Sequence, residues 1–389
     1  MSPSHPVRYS PHSTAEEGTP GLSGRGVSGA PAASAAAADL SEVWRAFCAR
    51  LAGAPGPMEA EHLQLDELDL AEGLRFLGRL TRSALNALDR SDTPDRPRFT
   101  PFGPPDTTYG IPNPDNLYQR CSVDPSLEYR IVGRRNTVCF FAIGAQAVGR
   151  AARPGTPSHL DHSRLQMDED GSFEIHVGGA PRDGNWIELS PDVTFLMVRQ
   201  TFLRRDEETA AELRIECLSD PAAPRATSWS SVERRLTDAA EQVHTLTAFW
   251  PAWVGSFADH APCNGFFRFD LETHLAIGGD PQIITPLCRW RVAEGEALEI
   301  VLRPPTCEYW NIQLATIWSE PVEAHAGLSC RNAAEVTFEP DGSVVLVVSP
   351  IDPGHPNWLD TGGHRQGLIT VRWVNAEDHP IPTTRIIEL

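Results

Sequence analysis

The sequence predicts a mainly β protein with helical segments: two β-sandwich or jelly-roll-like units, N-terminal helices and one long linking helix. The chain has 389 residues, which is more than one hydrophobic core usually organises. Short apolar runs alternate with Gly, Pro and Asp-Gly signals over two long stretches. Because no regular helices alternate with these strands, antiparallel sandwiches are favoured over a parallel α/β sheet.

The N-terminal part is predicted to contain a tail and two helices. Residues 1–38 are rich in Ser, Pro, Gly and Ala and are expected to be a disordered tail. Residues 39–98 are predicted to be a helical segment whose first helix covers about residues 40–51. Asp66 can cap the second helix. Its predicted apolar face has helical spacing and comprises Leu70, Leu74, Leu77, Leu80, Ala84 and Leu88.

Residues 99–225 are predicted to form the first β unit, because the periodicity changes there from helical spacing to strands and turns. Gly, Pro and Asp-Gly signals separate the apolar runs. The predicted strands cover residues 128–132, 138–145, 172–177, 194–202 and 212–218.

Residues 226–280 are predicted to be a linking helical segment with one strong helix over about residues 231–249. Ser230 and Glu233 have capping-box spacing at its start, and Pro251 is expected to end it. One side of this helix is apolar and comprises Val232, Leu236, Ala239, Val243 and Leu246.

Residues 281–389 are predicted to form a C-terminal jelly-roll-like β unit. Pro340, Asp341 and Gly342 predict a hairpin between two of its strands. The predicted strands cover residues 298–302, 309–318, 335–338, 344–348, 368–374 and 385–389.

The composition excludes several classes of function. A net charge of -19 without a cationic stripe argues against nucleic acid and anionic membranes as partners. The chain contains no lysine, so Schiff-base chemistry on lysine and the P-loop lysine of nucleotide hydrolases are impossible. No G-x-S-x-G motif is present, and the G-x-G-x-x-G spacing at residues 24–29 lies within the predicted tail rather than between a strand and a helix. A small-molecule substrate is the expected partner, and a homo-oligomer is left open.

The eight cysteines include no C-x-x-C pair, which excludes a zinc ribbon and a thioredoxin-like motif. Several lie within apolar strand patterns, where a free thiol behaves as a small hydrophobic group. We expect them to be reduced and structural. Together with the lack of a secretory signal at the N-terminus, they predict a cytoplasmic protein.

A polar loop near the C-terminus, PNWLDTGGHR at residues 356–365, carries the candidate catalytic residues. Its two adjacent glycines can fold the loop so that the Asp360 carboxylate approaches the His364 ring. A histidine oriented by a carboxylate is a general base near neutral pH, and Arg365 can stabilise an anion. The alternative is structural: Asp360 caps a turn, His364 binds a backbone carbonyl and Arg365 pairs with an acid.

A second polar loop covers residues 109–118 and supplies Tyr109, Asn116 and Tyr118 as candidate substrate-binding residues. The alternative is that its Asn and Asp side chains only set a turn. Arg199, Trp358 and Trp310 complete the candidate binding set. His159, His162 and His176 lack the spacing of a known metal motif, so no metal site and no cofactor are predicted.

Three stretches, PNPDNLYQRCSVDPSLEYRIVGRR, GNWIELSPDVTFLMVRQTF and PNWLDTGGHRQGLITVRW, resemble the domain of unknown function 1214 family, which often occurs with a companion domain of unknown function 1254. The resemblance spans roughly residues 102–389. It implies β-sandwich or jelly-roll units of nucleoplasmin-like or viral-capsid-like shape and carries over no established catalytic residues. The residues within family-like motifs are Asn116, Tyr118, Asn185, Trp186, Arg199, Trp358, Asp360, His364 and Arg365.

Two functional hypotheses follow. The first is an enzyme of hydrolase, lyase or isomerase type, without an organic cofactor, that acts on a small organic substrate in a β-sandwich cleft. In it, His364 is the base, Asp360 orients it, and Arg365 or Arg199 stabilises an anion. The second is a non-catalytic protein of jelly-roll type that uses Trp and Tyr side chains to bind a carbohydrate-like ligand or to assemble.

Overall fold

The computed structural model of the protein describes residues 40–86, 88, 93–102, 108–146, 158–219, 228–324 and 327–389. The predicted tail at residues 1–38 lies outside the described residues. Within them, no helix has the length and apolar character needed to cross a membrane. The eight cysteines are all free thiols.

Two facing sheets form the first β unit, as predicted. Their strand orders are β1-β2-β8-β4-β5 and β7-β6-β3-β9, and only the pair of β6 and β7 is parallel among the described strand pairs of this unit. The strands are β1 (Thr100–Pro101), β2 (Asn116–Ser122), β3 (Tyr129–Arg134), β4 (Phe140–Gln146), β5 (His159–Asp161), β6 (Ser172–Val177), β7 (Trp186–Ile187), β8 (Phe195–Thr201) and β9 (Glu212–Cys217).

The strand β4 is apolar on both faces, which explains its uninterrupted hydrophobic sequence. Successive side chains of a strand point to opposite faces. Phe141 and Ile143 therefore enter the core of the first unit, whereas Phe140 and Ala142 pack against the second unit with Tyr309. This contact joins the two β units through a small apolar interface.

The second β unit is also built from two sheets. One has the order β10-β12-β18-β14-β15, with β11 also paired to β18, and the other has the order β17-β16-β13-β19. The strands are β10 (Phe266–Phe267), β11 (Ile283–Ile284), β12 (Leu287–Arg291), β13 (Glu296–Leu302), β14 (Tyr309–Ala315), β15 (Cys330–Asn332), β16 (Val344–Ser349), β17 (Trp358–Asp360), β18 (Gln366–Val374) and β19 (Thr383–Glu388). The mainly β, sandwich-like fold class is thereby confirmed.

The helices cover the outer face of the β12-β18-β14 sheet. Their shared core includes Phe76, Val243 and Phe257 from the helical layer and Leu287 and Leu368 from the sheet. The α-helices are α1 (Leu40–Ala52), α2 (Glu67–Leu85), α3 (Trp229–Ser256) and α4 (Leu271–Ala276), with short 3-10 turns at Gly56–Glu59, Glu61–Leu63 and Phe257–Asp259. The candidate site lies between this helical layer and the two units.

The predicted apolar face of α2 is wrong in its first half, because Leu70 and Leu74 are 53% and 73% exposed. The helix buries Asp69 and Gly73 there instead. A Cβ added at Gly73 would lie 3.0 Å from the Trp318 ring, so a larger residue would require that ring to shift by a few tenths of an ångström. Since Trp318 also donates through Nε1 to the Asp69 carbonyl at 2.8 Å, one tryptophan sets which face of α2 packs inward.

Pro251 does not end α3, contrary to the prediction, since the helix continues to Ser256. Pro251 and Val254 are both buried, so the apolar face extends beyond the proline. This packing offsets the roughly 3 kcal/mol that an interior proline costs a helix. The capping box is formed by Ser228 and Ser231 rather than by the predicted pair.

The predicted hairpin around Asp341 is also wrong, because residues 335–338 form no strand. The turn itself exists, with the Ser343 amide donating to the Asp341 carboxylate at 3.0 Å. However, β16 pairs antiparallel with β13 and parallel with β17. A turn motif predicts the local bend but not which distant strand completes the sheet.

We expect Asp66→Ala to lower the unfolding free energy by about 1 kcal/mol, because it removes the N-cap of α2. Asp66 accepts a hydrogen bond from the Asp69 amide at 2.8 Å, and its own amide donates to the Asp69 side chain at 3.2 Å. Urea unfolding measures the loss. Asp66→Asn is the matched control, since asparagine also caps helices well, and an equal loss in both variants would contradict the cap.

Candidate ligand-binding site

A cavity of about 160 Å³ lies where four parts of the fold meet: the first β unit, α3, α4 with the segment that follows it, and the second β unit. Each of the four parts contributes polar or aromatic side chains to its wall. These side chains include Asn116, Tyr118, Arg199, Trp250, Trp253, His274, Asp280, Thr370 and Arg372. The cavity is therefore shared between the two units rather than enclosed within either sandwich.

The strand alternation explains why these side chains face the cavity. Val198 and Val371 enter the cores of their own sandwiches, so the neighbouring Arg199 and Arg372 point to the opposite faces. Tyr118 is the cross-strand partner of Arg199 and lies beside it on that face. Two outward-facing arginines and a phenol are thereby brought to one junction.

Arg372 is only 8% exposed, yet its partners among the described residues are all neutral. Nη1 donates to the side-chain oxygens of Asn311 at 3.2 Å and Gln313 at 2.8 Å, and Nη2 donates to the Ile111 carbonyl. These bonds use three of the five N–H groups of an arginine. A buried positive charge with no contacting carboxylate in the described part of the chain is costly unless an anion joins it.

Arg199, in contrast, has an acidic partner. It donates to the Asp280 carboxylate at 3.2 Å and to the Gly278 carbonyl at 2.9 Å. The other oxygen of Asp280 lies 3.0 Å from Nε2 of His159. Burial raises the pKa of Asp280, but His159, Arg199 and the Gln282 amide together outweigh it and hold the pKa far below its usual range. Asp280 is thus a fixed negative charge beneath the cavity.

Three buried polar atoms around the cavity have no hydrogen-bond partner among the described residues. They are Nε1 of Trp250, Nε1 of Trp253 and Oγ1 of Thr370. Buried polar atoms nearly always have a partner in protein, water or ligand. The wall therefore offers donors that a bound molecule or ordered water would satisfy.

The phenol of Tyr118 is also arranged for binding. Its oxygen accepts a hydrogen bond from the Asn113 amide at 3.0 Å, so its own hydrogen remains available to donate. His274 approaches the Asp280 carbonyl at 3.0 Å through Nε2, and burial, the largest effect, lowers its pKa. Both side chains can orient a ligand through hydrogen bonds.

The structure brings Asn116, Tyr118 and Arg199 of the predicted binding set into the cavity wall. Asn116 and Tyr118 belong to β2 rather than to a loop. Tyr109 lies next to it: its hydroxyl accepts from Gln242 at 3.3 Å, and its ring centroid is 6.4 Å from that of Trp250. Four of the six residues predicted to bind substrate therefore lie in or beside the wall of one cavity.

The preceding Pro-Asn-Pro-Asp motif is held by buried side chains of the second unit. Asn113 accepts from the Asn311 amide at 2.8 Å, and Asp115 accepts from the Tyr309 hydroxyl at 2.6 Å and from Asn332 at 2.9 Å. This network fixes the start of β2 against β14. It has a structural role that also positions Asn116 and Tyr118.

The predicted catalytic turn lies outside this cavity wall. His364 is 4% exposed, and its Nδ1 is 3.6 Å from a carboxylate oxygen of Asp69 on α2. Asp360 accepts from the Gly362 amide at 2.8 Å, and Arg365 is exposed, 3.9 Å from Glu294. The carboxylate found beside His364 in the described structure is therefore that of Asp69.

The two predicted tryptophans also lie away from the cavity wall. Trp310 is buried in the core of the second unit, and Trp358 is half-buried and donates through Nε1 to the Ser349 carbonyl at 3.0 Å. Two other tryptophans, Trp250 and Trp253, do line the cavity. They lie in the last part of α3, beyond the predicted end of that helix at about residue 249.

The candidate metal histidines have separate acidic neighbours. His162 approaches Glu308 at 2.7 Å and His176 approaches Glu174 at 3.1 Å, while His159 is paired with Asp280. Across the described ranges, no group of three or more His, Cys, Asp or Glu residues is placed to hold a metal ion. These histidines act as partners of single carboxylates.

Sequence reasoning missed Arg372, Asp280, Thr370 and the α3 tryptophans. One signal for Arg372 was available, since LITVRWV reads as a strand that is apolar on both faces, where a charged residue needs a specific partner. Asp280 carried no comparable signal, because its partners Arg199 and His159 are distant in the sequence.

Comparisons with known proteins show related sequence and fold. A family model described as "Protein of unknown function (DUF1214)" matches residues 296–378. An uncharacterised protein from Burkholderia cenocepacia, solved by crystallography, is 34% identical, covers 90% of this chain and 97% of its own, and superposes with a TM-score of 0.80. A protein from Vibrio parahaemolyticus is 12% identical over 83% of this chain and all of its own, with a TM-score of 0.46. No curated protein matches.

Proposed function

We propose that this chain, which belongs to the family described as Protein of unknown function (DUF1214), binds a small organic acid in the cavity between its two β units. The family description names no activity, so the proposal is based on the cavity. The ligand carboxylate would meet Arg372, and its apolar body would pack against Trp250 and Trp253. The pairing with a companion domain of unknown function 1254, which is frequent in the family that the sequence resembles, stays an expectation.

The main support for this proposal is that one of the two arginines in the cavity wall has no acidic partner among the described residues. Arg372 is buried among neutral acceptors, whereas Arg199 is already balanced by Asp280. A carboxylate matches the planar fork of a guanidinium and can accept two parallel hydrogen bonds from it. An anion at this point therefore satisfies both the unused N–H groups and the unbalanced charge.

The size of the cavity limits the ligand. A protein cavity of about 150 Å³ can hold benzene, and this one measures about 160 Å³. An acid with one six-membered ring is therefore near the upper limit. The indole N–H groups, the Thr370 hydroxyl and the Tyr118 hydroxyl would bind polar substituents on that ring.

Isothermal titration calorimetry with benzoate and benzamide tests the proposal. Benzoate is expected to bind at one site with a dissociation constant below about 1 mM. Benzamide has nearly the same shape without the charge, and should bind at least roughly tenfold more weakly, because a hydrogen bond to a charged group contributes about 1.5–3 kcal/mol. Equal affinities, or no heat from either compound, would count against the proposal.

An enzyme that acts on the bound acid is the finer form of this proposal. The sequence-based hypothesis assigns acid–base chemistry to His364, Asp360 and Arg365, and the proximity of His364 to the Asp69 carboxylate motivates keeping it as a second candidate. Burial raises the pKa of Asp69, but the His364 and Gln366 side chains and the Asp66 amide outweigh burial, so the pKa of Asp69 is lowered.

The two candidate locations predict different behaviour of a His364→Gln variant. If the ligand occupies the cavity of Arg372, the benzoate dissociation constant should change less than about twofold, because His364 contributes nothing to that wall. Calorimetry of the folded variant decides the matter. A loss of tenfold or more would move the binding site to the C-terminal turn.

A further inference from the structure

We propose that a second cavity, beside Arg289 and Arg291, binds a phosphate monoester whose two negative charges meet the two guanidinium groups. This cavity measures about 240 Å³ and shares no lining residue with the first. Its wall includes Phe257, Pro262, Cys263, Phe267, Arg289 and Arg291. The inference does not depend on the proposed function.

The sheet geometry places the two arginines side by side. Arg289 and Arg291 are alternate residues of β12, so they project from the same face, while Trp290 between them enters the core of the second unit. Leu287, two residues earlier on that face, lines the first cavity. The two cavities therefore lie along one strand, beneath successive parts of the helical layer.

Neither arginine has an acidic hydrogen-bond partner in the described ranges. Arg289 donates through Nη2 to the carbonyls of His62 at 2.9 Å and Leu63 at 3.2 Å. Arg291 donates to the Gln64 side chain, to the Leu63 and Gln64 carbonyls and to the Gln366 side chain. Two adjacent positive charges thus remain without a contacting counter-charge in a chain whose net charge is -19.

The electrostatics of the pair support an anion at this position. Burial, the largest effect, and the neighbouring Arg291 lower the pKa of Arg289, and the charges of Cys263 and Asp69, which raise it, do not compensate. A bound anion would reverse both effects, since it replaces lost hydration and screens the repulsion between the two guanidinium groups.

A purely structural role explains part of this arrangement. The two arginines attach the turn at residues 62–64 to the sheet, and the carbonyls there are natural acceptors. That role leaves Nε and Nη1 of Arg289 without a hydrogen-bond partner among the described residues. These atoms belong to a residue that lines a cavity, so they remain available to a ligand.

The wall chemistry indicates the class of anion. A phosphate monoester carries about -1.5 to -2 charges at pH 7 and offers three acceptor oxygens, which suit two arginine forks. The remaining space is bounded by Phe257, Phe267 and Pro262. This apolar side fits a carbon skeleton rather than inorganic phosphate alone.

Calorimetric titration of the full chain with phenyl phosphate is the first test. We expect saturable binding that Arg291→Gln weakens at least tenfold. Arg385→Gln is the matched control, since Arg385 is an exposed arginine paired with Glu299 on another strand, and it should leave affinity unchanged. Arg372→Gln should also leave it unchanged, and a loss of binding there would assign phenyl phosphate to the first cavity and overturn the proposal.

A second test uses the wild-type protein and so does not depend on whether a variant folds. Cys263 and Cys48 are both exposed thiols, but Cys263 lines the cavity and Cys48 lies on α1, outside the cavity wall. Saturating phenyl phosphate should slow alkylation of Cys263 by neutral iodoacetamide at least fivefold and leave Cys48 unaffected, as measured by peptide mass spectrometry. Unchanged alkylation of Cys263 would overturn the proposal.

Discussion

Arg372→Gln should weaken benzoate binding by roughly 100-fold, because it removes two charge-assisted hydrogen bonds worth about 1.5 kcal/mol each. Arg372 is the buried cation of the cavity whose partners among the described residues are all neutral. Glutamine retains a donor but loses both the charge and the fork. Calorimetry on the variant, with its folding checked by urea unfolding, measures the effect.

Two further variants make this result specific. Arg372→Lys retains the charge without the fork and should lose less affinity than Arg372→Gln. Arg303→Gln removes an exposed arginine of the same unit that is paired with Asp341, and it should bind benzoate like the wild type. If a folded Arg372→Gln variant binds benzoate with wild-type affinity, the carboxylate does not meet Arg372.

Asp280→Asn should lower the unfolding free energy by about 3 kcal/mol at pH 7, because it leaves Arg199 without its buried counter-charge. Asp280 is 3% exposed and contacts both Arg199 and His159. It also joins the segment after α4 to the first β unit, so its loss should loosen the floor of the cavity. Urea unfolding of both proteins gives the difference.

The same carboxylate predicts how stability depends on pH. The pKa of folded Asp280 is depressed, so its stabilisation is complete above the ordinary carboxyl pKa of about 4 and is lost as the pH falls toward the lower folded value. The difference in unfolding free energy between wild type and Asp280→Asn should therefore shrink below about pH 4. A constant difference from pH 7 to pH 2 would contradict this account.

Asp341→Asn serves as the control for both experiments. Asp341 also has a lowered pKa, about 2, caused chiefly by hydrogen bonds from the Ser343 side chain and amide and by one from Arg303. It is exposed, however, and water replaces its partners readily. Its substitution should affect stability far less than that of Asp280.

The sequence predicted elements whose signals are local. Strands such as β6, which covers the predicted residues 172–177, and the N-cap of α2 at Asp66 depend on alternation, turn residues and capping chemistry within a few positions. The extent of α3 past Pro251 was not predictable in this way, because burial of Val254 against distant elements decides it. Short strands such as β7 and β10 likewise exist only through their partners.

The candidate site shows the same division. Asn116 and Tyr118 were predicted from a polar motif and Arg199 from a family-like motif, and the three do lie together on the cavity wall. The pairing of His364 with a particular carboxylate was not predictable, because Asp69 lies 295 positions earlier in the sequence and reaches it through helix packing. Asp280 and its partners from β5 and β8 are a similar case, since only the folded chain brings the three charges together.

The central claim is that an organic acid occupies the cavity between the two β units with its carboxylate at Arg372. A crystal structure of the wild-type protein soaked with saturating benzoate tests it most directly. We predict the carboxylate within about 3 Å of the Arg372 guanidinium and the ring against Trp250 and Trp253. Benzoate bound elsewhere, with the Arg372 cavity holding only water, would contradict the claim.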